Sequence, residues 1–174
     1  MVDVYIVVYT LLGILLTLPA LLVALNMLLP GLTSRVQIRL EETPRKSFFL
    51  GAPVTAVFAL WVALTTSTGN GAIAALGYIA ALFWMGLGTI GAAGMSRLLA
   101  ERITIWSEPR SRLIHLLRGA FVYELACLFP IVGWLLFAPV AGITVIGAAI
   151  FALLKWIPQR QPLVITPAPM TENG

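Results

Sequence analysis

Few side chains in this sequence have the means to do chemistry, and Glu124 stands apart from the rest. It lies in the apolar run 119–156, and an ionisable group deep in a bilayer costs roughly 2.5 to 3.5 kcal/mol on insertion scales. Such residues often mark an ion, proton or substrate path. The structural alternative is a carboxyl near the interface, or one that bonds a Ser or Thr hydroxyl and locks packing. Arg118 and His115 precede Glu124 by six and nine residues, outside the three- or four-residue spacing of a shared helix face. Asn26, near the end of the first apolar run, has an amide that suits an ion ligand, a helix cap or an interhelical hydrogen bond. Together Glu124, Arg118, His115 and Asn26 form the candidate intramembrane polar set.

Other chemistry has little to work with. One Cys and one His are too few for a disulfide or a structural zinc site, and one His cannot give bis-histidine haem ligation. No Ser-His-Asp set, His-Glu-x-x-His pair, phosphate loop or dinucleotide fingerprint occurs. A non-enzymatic protein with no cofactor is expected. A membrane enzyme acting on a lipid needs at least two cooperating polar groups at one depth, which makes it the weakest reading.

The elements that must position these residues are set by composition. Of 174 residues, 60% are hydrophobic and 10% charged, against about 25% charged in an ordinary soluble domain. Water is not the main solvent of this chain. An all-α, polytopic transmembrane bundle of four to five segments follows. Residues 1–157 form the bundle, with segments at about 4–29, 48–66, 72–95, 113–129 and 132–156. Residues 158–174 form a flexible Pro-rich tail. The run 119–156 is too long for one span, and Phe129-Pro130-Ile131-Val132-Gly133 is where it breaks into a helical hairpin or a re-entrant segment.

Between the spans, residues 31–47 and 96–118 read as polar surface loops, and their alternating apolar and polar residues fit short paired strands. Arg35-Val36-Gln37-Ile38 resembles Arg102-Ile103-Thr104-Ile105, which suggests a parallel repeat of helix, loop and helix. The uncharged turn at 67–71 lies on the opposite side from both basic loops, with the N-terminus and the Pro130 turn. Every Lys and Arg then falls on one face, cytoplasmic by the positive-inside rule, with the N-terminus outside a bacterial inner membrane. The net charge of +4 is therefore topological and does not point to nucleic acid. Arg35, Arg39, Arg45, Lys46, Arg102, Arg110 and Arg112 are candidate contacts for anionic lipid headgroups or partners, each contributing about 1 kcal/mol near the surface. Helix packing is assigned to Gly77, Gly88, Gly91, Ala138, Gly142 and Ala148, small residues that let helices approach.

Through Pro44-Arg45-Lys46-Ser47-Phe48-Phe49-Leu50-Gly51 and Leu128-Phe129-Pro130-Ile131-Val132-Gly133-Trp134, the region 44–154 resembles a family of uncharacterised bacterial polytopic membrane domains. Some of these are joined to bactofilin-like cytoskeletal segments. The resemblance implies a membrane helix bundle and little about activity. The first functional expectation is an accessory or scaffold subunit of a larger membrane assembly, in contact with other membrane subunits and the lipid bilayer. The alternative is a small transporter, channel or lipid-handling protein that uses Glu124 in a membrane cavity.

Overall fold

The structure is a computed structural model and describes residues 2–104 and 111–156. Short connections apart, those residues are helical: α1 (Val2–Leu28), α2 (Pro30–Glu42), α3 (Pro44–Ser67), α4 (Gly71–Thr104), α5 (Arg112–Leu128) and α6. The last opens with a π-helical turn, Gly133–Phe137, and continues as Ala138–Leu153. Helices satisfy their backbone groups internally, as an apolar solvent requires. Pro30 and Pro44 open α2 and α3 at the first helical position, where a missing N–H costs nothing.

Four helices are long and apolar enough to cross a membrane: Tyr5–Leu28, Pro44–Ser67, Gly71–Ile103 and Gly133–Leu153. Helix α5 is shorter, 17 residues or about 25 Å at 1.5 Å per residue, against a hydrocarbon core of ~30 Å.

Three local expectations are corrected. Residues 31–47 are not a loop or strand: α2 occupies most of them, and the described residues contain no strand. Thr33, Val36, Gln37 and Leu40 are its buried residues together with Arg39, and their three-and-one spacing is the stripe of an amphipathic helix. Helix α4 continues past Met95 to Thr104. The paired motifs therefore lie in different settings, since Arg35-Val36-Gln37-Ile38 is the middle of α2 and Arg102-Ile103-Thr104 is the end of α4. Among the described residues the two motifs do not occupy equivalent positions of a repeated unit. Residues 105–110 and the tail 158–174 lie outside the described residues.

Two apolar clusters hold the bundle. In the first, Val36 and Leu40 of α2 meet Leu87 of α4 and Val145, Ala148, Ala149 and Ala152 of α6. In the second, Leu22 and Val23 of α1 meet Ala92, Ala93 and Ala100 of α4 and Leu116 and Ala120 of α5. The charged ends come together: Gln37 donates a hydrogen bond to Glu101, Arg102 pairs with Glu41 at 3.5 Å, and Arg97 donates to the Pro30 carbonyl at 3.4 Å.

Helix α5 runs back along the C-terminal part of α4. A methyl at Gly119 would meet the Ser96 carbonyl and Ala100, and Leu128 lines a groove with Met85. Met85 is roughly 21 Å along α4 from Gly71. The turn that follows α5 holds Ile131 at φ +66°, a strained conformation for a β-branched residue. It lets the chain fold back so tightly that a methyl at Gly133 would meet the Ala126 and Cys127 carbonyls. The sequence expectation of a hairpin broken at Pro130 is met. Its tip, however, stops well short of the 67–71 turn, with which it was expected to share a side.

Candidate functional site

Helices α1, α4 and α5 converge around Glu124. The side chain is 3% exposed, and neither carboxylate oxygen has a hydrogen-bond partner. It lines a groove of about 300 Å³ walled by Leu18 and Leu22 of α1 and by Met85, Gly88 and Ala92 of α4. The groove owes its width on the α4 side to small residues. Its other polar groups are the hydroxyls of Thr89 and Tyr123 and the Cys127 thiol, and Thr89 donates its own hydroxyl to the Gly86 carbonyl at 2.8 Å. The packing role considered for Glu124, a bond to a Ser or Thr hydroxyl, is therefore absent. A buried carboxyl with both oxygens unmatched carries a cost of several kcal/mol if ionised and alone. The site is neutral in two ways: as the acid, or as carboxylate with a cation beside it.

The other members of the polar set are placed elsewhere. His115 is buried at 8% exposure, near the start of α5. Arg118 is half-buried, and neither it nor His115 lines the Glu124 groove. Asn26 is 3% exposed and ties α1 to α4. Its Nδ2 donates to the Leu22 carbonyl at 2.9 Å, the Ala93 carbonyl at 2.9 Å and the Ser96 hydroxyl at 3.3 Å, while its Oδ1 is buried without a partner.

Among the basic residues, Arg45, Lys46, Arg102 and Arg112 are exposed. Arg35 is half-buried, and Arg110 lies outside the described residues. Arg39 departs from the expected surface role. It is 9% exposed, its guanidinium stands 4.2 Å over the Phe151 ring, and it donates to the Thr43 hydroxyl at 3.0 Å, so it clamps α2 to α6. Arg97, which sequence reasoning left out of the contact set, braces α4 against the start of α2 and pairs with Glu101 at 3.8 Å.

Of the small residues, Gly77 faces the Thr65 side chain, Gly91 the Val145 backbone, and Ala148 is fully buried. Gly88 has only ordinary contact with Ile146 at 3.9 Å, and a methyl at Gly142 would meet nothing. Ala138 is half-buried. The closest helix crossing was missed: Gly51 meets the Ile143 backbone and Gly147 meets Ser47, seating α3 on α6. The signal was present as small residues four apart, Ser47 and Gly51. Among the described residues no three His, Cys, Asp or Glu side chains gather as a metal ion would need.

Comparison with protein-family models, with curated proteins and with solved structures finds no match to this chain.

Proposed function

We propose that this protein is a small membrane carrier or binding protein whose working group is Glu124, and that its solute is a monovalent cation with an apolar body, such as a protonated amine. The observation that carries this reading is the buried carboxyl, with both oxygens unpartnered, at the edge of a groove whose walls are mainly apolar. An anion would be repelled there, and a divalent metal would want more oxygen or nitrogen ligands than the groove offers. An uncharged solute would leave the carboxylate unmatched. A cationic amphipath supplies the missing charge and lays its body against Leu18, Leu22 and Met85. Proton and solute then compete for one carboxyl, the elementary requirement for exchanging one for the other.

The accessory-subunit reading draws less support. It rests on small-residue faces that dock partners and on Arg-rich segments that touch them, and of the first kind Gly51, Gly91, Gly94, Gly119 and Gly147 all meet neighbouring helices of this same chain. By the positive-inside rule the charged end of the bundle faces the cytoplasm of an inner membrane.

The test is binding of a fluorescent lipophilic amine to the purified protein in nanodiscs, followed by uptake into proteoliposomes under a pH gradient. Saturable binding that disappears in Glu124→Gln is expected, with proton-coupled uptake lost alongside it. Equal binding by the wild type and Glu124→Gln sinks the reading.

A further inference from the structure

A second pocket lies on the same three-helix seam, closer to the charged end. Asn26 and Met27 of α1, Pro30 of α2, and Arg112 and Leu116 of α5 line a cavity of about 250 Å³. Between it and the Glu124 groove stand the packed side chains of Leu22, Leu116 and Ala120, so the two are separate sites.

Its two polar groups are complementary in sign and both lack a partner. Asn26 Oδ1 is buried and accepts nothing, and its orientation is fixed because the amide nitrogen is committed to Leu22, Ala93 and Ser96. Arg112 is exposed at the rim, and among the described residues no hydrogen bond or ion pair holds its guanidinium. An arginine fork suits a phosphate; an orphaned amide oxygen requires an N–H or O–H donor. Met27 and Leu116 supply an apolar wall beside them.

We propose that this pocket holds the headgroup of a membrane phospholipid whose phosphodiester is followed by a hydrogen-bond donor. Arg112 takes the phosphate, and Asn26 Oδ1 accepts from the ammonium of phosphoethanolamine or a hydroxyl of phosphoglycerol. Phosphocholine has the phosphate and the positive charge but no N–H, so it satisfies Arg112 and leaves Asn26 unmatched. The site therefore discriminates between headgroups by a single hydrogen bond. It sits at the α1–α2 corner, beside the charged end of the bundle, the end that basic residues hold at the headgroup layer.

The experiment is native mass spectrometry of the full chain in mild detergent with added phosphatidylethanolamine, phosphatidylglycerol or phosphatidylcholine, and in parallel with water-soluble phosphoethanolamine. The expected result is retention of the ethanolamine and glycerol lipids at least fivefold above the choline lipid. Arg112→Gln should lower that retention at least fivefold, while Lys155→Gln, an exposed cation that neither lines the pocket nor belongs to the basic contact set, leaves it unchanged. Because the lipid comparison alters no residue, a misfolded variant cannot produce it. Equal retention of ethanolamine and choline lipids overturns the proposal, as does a Lys155→Gln loss equal to that of Arg112→Gln, which would make the effect one of general surface charge. Binding of phosphoethanolamine as tightly as the lipid overturns the assignment to a bilayer lipid and makes this a site for soluble phosphate esters. None of these outcomes depends on Glu124.

Discussion

At the scale of single residues, Glu124 and Asn26 are both buried polar groups on one seam, and they pull stability in opposite directions. Glu124 has no partner to lose, so replacing it with Leu removes an unmatched carboxyl and fills apolar space. Glu124→Leu is expected to stabilise the protein by about 1–3 kcal/mol, read as a higher unfolding midpoint in detergent, while abolishing amine binding. Asn26→Leu deletes the two donated contacts, to the Ala93 carbonyl and the Ser96 hydroxyl, that join α1 to α4, and is expected to cost roughly 0.6–1.7 kcal/mol. A group kept despite its cost to stability is the pattern of a working residue. If Glu124→Leu lowers the midpoint as Asn26→Leu does, the carboxyl is structural after all. That Glu124 is exceptional was legible from an apolar run with one acid in it. That it is unpartnered was not, because the groove walls come from Leu18, Leu22 and Met85, distant in sequence and carrying no polar signal.

Among the elements, the glycines divide into those that seat helices and those that do not. A methyl added at Gly91 would strike the Val145 backbone, and one at Gly147 the Ser47 backbone, whereas Gly142 faces open space. Gly91→Ala and Gly147→Ala are expected to destabilise by roughly 1–3 kcal/mol through overpacking against backbone that cannot yield. Gly142→Ala should be neutral or stabilising by about 0.5–1 kcal/mol, since a helix interior favours Ala. Thermal unfolding of the three variants in one detergent separates them; a common response means the α4–α6 and α3–α6 crossings are looser than described. Sequence spacing alone grouped Gly91 with Gly142 because periodicity tells which residues share a face without telling what covers it. The misreading of α2 has a related origin. Its four charges among residues 35–42 suggested a loop, and the stripe of Thr33, Val36, Gln37 and Leu40 that marks it as a helix pressed onto α4 and α6 was outweighed by polarity.

For the molecule as a whole, the decisive feature is how far the α5–α6 hairpin penetrates. Charge alone does not decide it: whether the hairpin crosses or turns back midway, Arg112 and Lys155 end on the same side, so the all-on-one-face pattern of basic residues is preserved in both cases. Packing bears on it. Leu128 lines one groove with Met85, and the Ser67-to-Gly71 turn is a further ~21 Å along α4, so the tip at residues 129–132 is expected to lie within the hydrocarbon. Its exposed residues agree, since Phe129, Ile131, Val132 and Trp134 are apolar and more than half exposed, a surface suited to lipid rather than water. A tip held at that depth puts the Glu124 groove one and a half turns below a lipid-bathed opening, where an amphipathic solute dissolved in the bilayer reaches it sideways. In a Cys127→Ala background, single cysteines at Thr68, Arg45 and Ile131 are therefore expected to behave in three ways towards a membrane-impermeant maleimide. Thr68→Cys reacts from one face and Arg45→Cys from the other, while Ile131→Cys reacts from neither until detergent is added. Labelling of Ile131→Cys from the Thr68 face at a comparable rate would mean that the hairpin crosses completely and that the groove opens to water on that side, which would make its solute a soluble cation.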